Sequence, residues 1–309
     1  MVVGIGDDAA AWQPSRSHLS VITTDALVDG VHFLMDVMDP ADIGHRAMAS
    51  NLSDIAAMGA RPVLATVALG IPPGTNEAWL LACYRGMAAL GGAHGLRIVG
   101  GDIVRASTLT LSLTLVGEVS ARRLRRRDGG RPNDIVAVTG PLGASRAGLE
   151  LLRRPELDVP SDLRRSALAA FATPEPRMRE GRFLGASVNV RAMMDCSDGL
   201  STDLARMARA GACGAAITSV PVAPVAEAVA RAAGHDPEDY ALDGGEDFEL
   251  LVAVAPRAYA HLSRSLVLHG ARPLLAIGHL SAEPGLRLAL PDYSANLAAS
   301  GWDHLRPAL

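Results

Sequence analysis

Lysine is absent from this 309-residue chain, and all 29 basic side chains are arginine. That absence excludes a P-loop lysine, a kinase strand lysine and any lysine Schiff base. If the chain handles nucleotides, metals and arginine have to neutralise the phosphates. An arginine-favouring genome accounts for the missing lysines equally well, so their absence excludes mechanisms without proposing one. Cysteine is scarce too: Cys83, Cys196 and Cys213 are odd in number and form no CxxC pair. A disulfide framework and a zinc site are therefore disfavoured, which fits a reducing cytoplasm. No signal-peptide pattern is present, and no apolar run is long enough to span a membrane. Net charge is −4, which disfavours a general nucleic-acid or anionic-membrane role. Phosphate ligands stay open, because metal ions invert the local sign.

What the chain does have is aspartate, twice as frequent as glutamate. Aspartates sit beside glycine, serine or threonine in GIGDDAA (4–10), TTDALVDGVHF (23–33), NLSDIAAMGA (51–60), VGGDI (99–103), MMDCSDGLSTDL (193–204) and DGGEDFEL (243–250). Clustered carboxylates with nearby backbone and hydroxyl oxygens are what hard cations such as Mg²⁺ prefer.

The spacing of apolar residues organises the chain. VVGIGDDAA reads as a short strand running into an acidic turn, and HLSVITTDAL (18–27) as a second strand. Helical periodicity from Asp42 to Met58 ends at Gly59, and Thr75 is placed to cap a helix running to about His94. PVLATVALGI, LRIVGGD and the alternating TLTLSLTLVGEV (108–119) are strands. RRLRRRDGGRPND (122–134) joins charge, glycine and proline as a linker. It sets a domain boundary near residue 133, giving domains 1–133 and 134–309. The second part opens with a strand, DIVAVTG (134–140), and a helix beginning in PLGASRAGLELLRR, then mixes helices (161–172, 176–187, 198–210, 223–234, 256–268) with strands (191–195, 214–219, 247–255, 272–279, 286–290). The expectation is a two-domain enzyme of mixed α/β (α+β) class.

Singly, each acidic motif is weak, since an Asp after Gly is most often a turn residue or a helix cap. Together they say more. Asp8, Asp25, Asp102, Asp195 and Asp198 lie at strand ends or helix starts, where loops gather into a site. Asp54 lies instead inside the predicted 42–58 helix beside Asn51 and Ser53. There it faces either solvent or a metal. DCSDGLSTDL reads either as an N-cap box or as a carboxylate pair holding a metal beside a phosphate-attracting helix N-terminus. Arg122–Arg127 is usually a solvated face, although one member could grip a phosphate bidentately. VTGPLGAS (138–145) has the shape of a phosphate loop but lacks its GK[ST] ending, so it reads as mostly structural.

Taken together, these segments resemble the thiamine-monophosphate kinase family, within the aminoimidazole-ribonucleotide synthetase-like ATP enzymes. GIGDDAA, TTDALVDGVHF, NLSDIAAMGARP, GGD, VTGPLG, DCSDGLSTDL, GGEDFEL and GWDH occur in the expected order along essentially the whole chain. The resemblance implies ATP-dependent phosphorylation of thiamine monophosphate to thiamine diphosphate, a step of thiamine diphosphate biosynthesis. It implies several Mg²⁺ ions on Asp8, Thr23, Thr24, Asp25, Asp54, Asp102, Asp195 and Asp198, with Asp25, Asp102 and Asp195 catalytic. It implies ATP contacts at Tyr84, Gly101, Asp102, Arg127 and Ser197, the arginine being the loosest because Arg125, Arg126 and Arg127 adjoin. His32, Glu246 and Trp302 match the positions that meet the thiamine phosphate. Asp203, on a helix face outside this set, is expected to be a neutral position. The implied fold has a first domain that pairs with its twin in a homodimer, ATP near that interface, and a second α/β domain. The alternating strand 108–119 offers an apolar face for such an interface. Further residues are also implied ahead of the first glycine motif, where this chain opens almost on it.

The chemistry agrees with this resemblance. Phosphoryl transfer needs alignment and charge neutralisation more than a covalent partner. A phosphate monoester, with second pKa about 6, is already anionic and needs no general base. No convincing Ser–His–Asp or Cys–His arrangement is present, as that reaction would allow. The siblings selenophosphate synthetase and aminoimidazole-ribonucleotide synthetase are the nearest enzyme alternatives. The first normally needs a reactive Cys or selenocysteine in a glycine-rich opening loop, and none of the three cysteines lies there. A non-catalytic, maturation-type relative is the alternative of another class, and no cysteine stands at the C-terminal end to accept a group.

Overall fold

The alternation in TLTLSLTLVGEV becomes a strand, β4 (Thr110–Ser120), whose Leu111, Leu113 and Leu115 are wholly buried. The structure is a computed structural model that describes residues 1–2, 4–5 and 9–302. β4 lies between β1 (His18–Val28) and β2 (Arg61–Ile71) and is antiparallel to both. β3 (Arg97–Arg105) runs parallel to β2 on the far edge, giving the order β1-β4-β2-β3. A parallel pair cannot be joined by a hairpin. The crossover is α2 (Glu77–Ala93), while α1 (Pro40–Ala57) joins β1 to β2.

Capping chemistry sets the helix starts. Asp39 accepts from the Ala41 amide at 2.8 Å and Pro40 occupies the first turn, so α1 begins ahead of Asp42. Asn76, not Thr75, caps α2, accepting from the Ala78 amide at 2.7 Å; Thr75 donates to the Pro72 carbonyl instead. The two helices cross with backbones in contact. A Cβ on Gly44 would lie 1.9 Å from the Cys83 carbonyl oxygen, and one on Gly86 1.8 Å from that of Ala41. Only glycine fits that crossing.

The second half builds a seven-stranded sheet in the order β11-β10-β7-β9-β5-β8-β6. Its strands are β5 (Ile135–Val138), β6 (Val190–Cys196), β7 (Gly214–Ile217), β8 (Glu249–Val254), β9 (Leu275–Ser281), β10 (Leu286–Leu290) and β11 (Tyr293–Asn296). The helices are α3 (Ala144–Arg153), α4 (Ser161–Ala172), α5 (Met178–Gly185), α6 (Leu200–Ala210), α7 (Pro224–Ala233), α8 (Pro237–Asp243) and α9 (Pro256–Leu268). β8 is buried at all six positions, which is why it reads as a continuous apolar run rather than an alternation. Two elements escaped the sequence reading, α8 and β11. α8 has 7 residues and β11 has 4, too few for a period to show. The expected opening strand falls partly on residues outside those described.

α1 is the hinge of the packing. It contacts β1 and β4 on one side and β6 and β8 on the other. Its Ile43, Ala47, Met48, Leu52, Ile55 and Ala56 join one core cluster with Leu113 of β4, Met193 of β6 and Val252 of β8. This corrects the expected use of β4. Its leucine face is covered by the chain's own helix and is unavailable to a partner. On the uncovered side the exposed apolar residues come from the edge strands: Ile22 on β1 and Val104 on β3. No helix among the described residues is long and apolar enough to cross a membrane.

Candidate active site

Arg46, Ser50 and Asp54 recur every four residues of α1 and so share one face. They line a cavity of about 510 Å³. β1 contributes Thr24 and Asp25, and the turn after it His32. The far wall comes from the second sheet: Asp195 on β6, Ser197 and Asp198 in the next turn, then Gly244, Glu246 and Phe248 ahead of β8. α3 adds Arg146, Leu149 and Arg153, and Trp302 completes the lining.

Hydroxyls on β1 and α1 tie the acids together. Thr23 Oγ1 donates to Asp54 Oδ2, and Ser53 Oγ donates to Asp195 Oδ2 at 2.9 Å. The Ser50 hydroxyl, beside Asp25, favours its charged form. The remaining forces oppose ionisation. Burial, then the neighbouring Asp54 charge, pushes Asp25 up to about 6. Burial raises Asp54, against the Thr23 hydrogen bond and the Arg127 charge that pull it down. Asp195 is raised well above the usual carboxylate range, by burial first and then by Asp54 and Asp203. Like charges in a low-dielectric pocket cannot all ionise alone.

Among the described residues, no group of three or more His, Cys, Asp or Glu side chains forms a ready-made metal cage. The donor chemistry nonetheless fits a hard cation. Asp25, Asp54, Asp195 and Asp198 with Thr23 and Thr24 present only oxygen, and Mg²⁺ takes one or two carboxylates plus substrate phosphates rather than an all-protein cage. A covalent route has little to recommend it, because burial pushes the nearby Cys196 thiol well up.

A second group of contacts shapes the other end of the cavity. Arg46 is 1% exposed and lies over the Phe171 ring at 3.9 Å. Its Nε donates to the His32 carbonyl at 2.9 Å, and it also donates to the Phe171 carbonyl. A nitrogen of the same guanidinium stands 2.5 Å from Glu246 Oε2, a close ion pair whose angles fall short of a hydrogen bond. His32 Nδ1 accepts from the Val28 amide at 3.1 Å. Glu246 and Phe248 adopt φ of 57° and 51°, a left-handed conformation costly for such residues and typical of functional loops. The loop is stapled down: the Glu246 amide donates to the Ser197 carbonyl at 2.7 Å and the Phe248 amide to the Cys196 carbonyl at 3.1 Å. Trp302, 46% exposed, donates its amide to the Asp198 carbonyl at 2.9 Å.

Both helix N-termini beside the cavity are filled by the chain's own acids. The amides of Ser197 and Asp198 do not await a phosphate; they donate to Asp203 Oδ2 at 3.0 and 2.9 Å. Asp203, expected to be a neutral helix-face position, is fully buried, and burial pushes it up to about 6. The start of α3 is filled likewise: Gly143 and Ser145 amides donate to the Asp247 carboxylate at 2.7 and 3.2 Å. The VTGPLGAS segment is thus closed by the chain's own acid, in keeping with its structural reading.

The cavity brings together Thr24, Asp25, His32, Asp54, Asp195, Ser197, Asp198, Glu246 and Trp302, with Thr23 bonded behind Asp54. It does not include Tyr84, Gly101, Asp102 or Arg127. Asp8 lies outside the described residues, as do Asp303 and His304. Tyr84 packs half-buried against the core from α2, and burial raises its phenol. A Cβ on Gly101 would stand 1.9 Å from the Val67 carbonyl oxygen, which gives that glycine a packing reason. Asp102 is exposed on β3, at the opposite edge of the sheet from Asp25 on β1. Three strand spacings put roughly 14 Å between those edges. Of the adjacent arginines, Arg125 donates to the Leu124 and Ser187 carbonyls and Arg126 pairs with Asp128. Arg127 is the one whose charge reaches Asp54.

Sequence reading missed Arg46, Arg146, Arg153 and Asp203. Arg46 had a signal: a lone cation on an apolar helix, four and eight residues before Ser50 and Asp54. The α3 arginines had none, because only tertiary packing turns that helix toward the cavity.

The raised acids give a stability prediction. A carboxyl whose folded pKa lies above its unfolded value destabilises the fold once pH exceeds the unfolded value. Without divalent metal at pH 7.5, Asp195→Asn should melt higher than wild type. The gain should be roughly 3 °C, the shift that 1 kcal/mol gives a chain of this size, and should vanish near pH 4. Calorimetry showing the variant equal or less stable at pH 7.5 would remove the like-charge account.

Residues 6–119 match the family model of the AIR synthase related protein N-terminal domain, and residues 131–290 that of its C-terminal domain. A thiamine-monophosphate kinase of Salmonella typhimurium is 36% identical over 304 residues, 97% of this chain and 91% of the relative. The crystal structure of thiamine-monophosphate kinase from Stenotrophomonas maltophilia K279a superimposes with a TM-score of 0.84 at 34% identity, covering 93% of this chain and 90% of that one. AaThiL complexed with AMPPCP and TMP superimposes with a TM-score of 0.83 at 28% identity, covering 95% and 89%.

Proposed function

The chain belongs to the thiamine-monophosphate kinase family of AIR synthase related proteins, and from that membership we propose that it transfers the γ-phosphate of ATP to thiamine monophosphate. The products are thiamine diphosphate and ADP. The observation that carries this reading is the cavity itself. Mutually repelling carboxylates at one end, Asp195 buried and the others half-buried, suit cation-bound phosphates, and Glu246 and Trp302 at the other suit a cationic ring. Transfer is direct and in line, since the acceptor phosphate is already anionic and needs no side chain to activate it.

Asp25, Asp54, Asp195 and Asp198, with Thr23 and Thr24, would hold magnesium. Bound magnesium would neutralise the repulsion between the two polyanions. The protein's own groups do the rest. Ser50, Ser53 and Thr23 orient the carboxylates, Arg46 holds the Glu246 carboxylate beside the cavity, and the Ser197–Asp198 turn fixes the phosphate end. Arg127, whose charge reaches Asp54, is the arginine we assign to ATP, together with Tyr84, Gly101 and Ser197. We assign residues 1–133 to nucleotide and metal binding and to pairing, and 134–309 to a second α/β domain. The three buried free cysteines suit a reducing cytoplasm.

The position of Asp102 supports a homodimer. It is too far around the sheet to reach Asp25 of its own chain, yet a second copy apposed on the edge strands, whose Ile22 and Val104 are exposed, could supply it.

Purified protein with ATP and Mg²⁺ should convert thiamine monophosphate to thiamine diphosphate, and EDTA should abolish the reaction. ATP hydrolysis that is indifferent to the thiamine substrate would defeat the assignment.

Asp25→Asn and Asp102→Asn should each lower turnover at least about a hundredfold, the scale of one lost charge-stabilising group. Unfolded and refolded together in equal amounts, the two variants should recover about a quarter of wild-type activity. Half the dimers are then mixed, and each mixed dimer keeps one intact site of two. No recovery from a dimeric mixture would place both acids in one chain's site.

Trp302→Ala should raise the KM for thiamine monophosphate about tenfold, the equivalent of 1.4 kcal/mol. The KM for ATP should change little and melting should stay cooperative. Equal loss of both substrates would make Trp302 a structural anchor instead.

A further inference from the structure

Asp203 has no place in the reaction outlined above, yet it is more completely buried than any of the acids that do. It lies one turn into α6, flanked by Leu200 and Leu204, both at 0% exposure. A carboxylate does not stay in such surroundings unpaired. One oxygen takes the Ser197 and Asp198 amides, and the other takes Arg206 at 3.1 Å. Arg206 also pairs with the Asp198 carboxylate, so a single guanidinium bridges a buried acid and a cavity acid. The same turn accepts the Glu246 amide on the Ser197 carbonyl and the Trp302 amide on the Asp198 carbonyl.

We propose that Asp203 is a positioning residue, whose carboxylate locks the Ser197–Asp198 turn and gives Arg206 a fixed partner so that Asp198 can turn to a cation. Two consequences follow from the contacts. When Asp198 leaves Arg206, the guanidinium keeps Asp203 and is not stranded, so the exchange carries a small penalty. And because Glu246 and Trp302 hang on the same turn, loosening it disturbs both ends of the cavity at once. The proposal rests on the kinase reading for its effect on turnover, but the lock itself does not.

Asp203→Asn keeps the side chain's size, yet its amide NH₂ must face either the two backbone amides or Arg206. Hydrogen exchange at Ser197 and Asp198 in the full chain should speed about tenfold in this variant. Its kcat should fall at least as much, the Mg²⁺ concentration for half-maximal rate should rise, and melting should stay cooperative. Arg206→Gln should leave the two amides protected and lower the Mg²⁺ requirement, because Asp198 loses its competitor. Unchanged exchange in Asp203→Asn, or unchanged kcat in a folded variant with fast exchange, would overturn the proposal. If Asp203→Asn fails to fold, Arg206→Gln decides: an unaltered Mg²⁺ requirement overturns it. If wild type forms no thiamine diphosphate, the kinase reading fails, while the exchange measurement still tests the lock.

Discussion

Three carboxylates, Asp195 buried and Asp25 and Asp54 half-buried, are held closer than their charges favour, and the rest of the site depends on that constraint. Each comes from a different element: an edge strand, a helix and a strand of the other sheet. What forces them together is α1. Twelve of its 18 residues are buried, and its apolar faces grip both sheets. The packing of Leu52, Ile55 and Met48 therefore does electrostatic work, because it sets where Asp54, Ser53 and Ser50 stand. A bound cation would relieve what the fold alone leaves opposed.

Arginine supplies the positive counterpart in a chain without lysine. Arg46 and Arg206 each fasten one acid that points into the cavity, Glu246 and Asp198, from behind. A planar guanidinium suits this role because it can hold a carboxylate and a carbonyl at once. Arg46 does so while stacked on Phe171. The two strained residues, Glu246 and Phe248, are kept in place by backbone bonds to Cys196 and Ser197. Strain, buried charge and turn geometry thus converge on the same few residues, as expected where function outranks stability.

Among the described residues, the first sheet is covered on one side only. Its leucines face α1, and its other side presents threonine, serine and small residues, with exposed apolar residues confined to β1 and β3. The sheet also leaves two strand edges, β1 and β3, open. Asp102 lies on one of those edges, away from the cavity that its relatives in the sequence motifs line.

The order of elements and the acidic motifs were legible because both are local. Period-two alternation in β4, period 3.6 in α1, and Asp beside Gly or Ser at strand ends need no knowledge of distant partners. The family resemblance added roles for those motifs. α8 and β11 were too short to show a period, α1 starts two residues ahead of Asp42, and the α2 cap lies one residue beyond Thr75. Other features were decided only by tertiary structure, because they join residues far apart in sequence. Asp203 reads as a surface helix residue until the Ser197 turn folds back over it, and β4 offers its leucines to a partner until α1 covers them. Arg146 and Arg153 face the cavity only because α3 packs there. Asp102 and Asp25 belong to one set of motifs, yet the strand order β1-β4-β2-β3 separates them. Sequence spacing records which residues are present, whereas sheet order records which of them can meet.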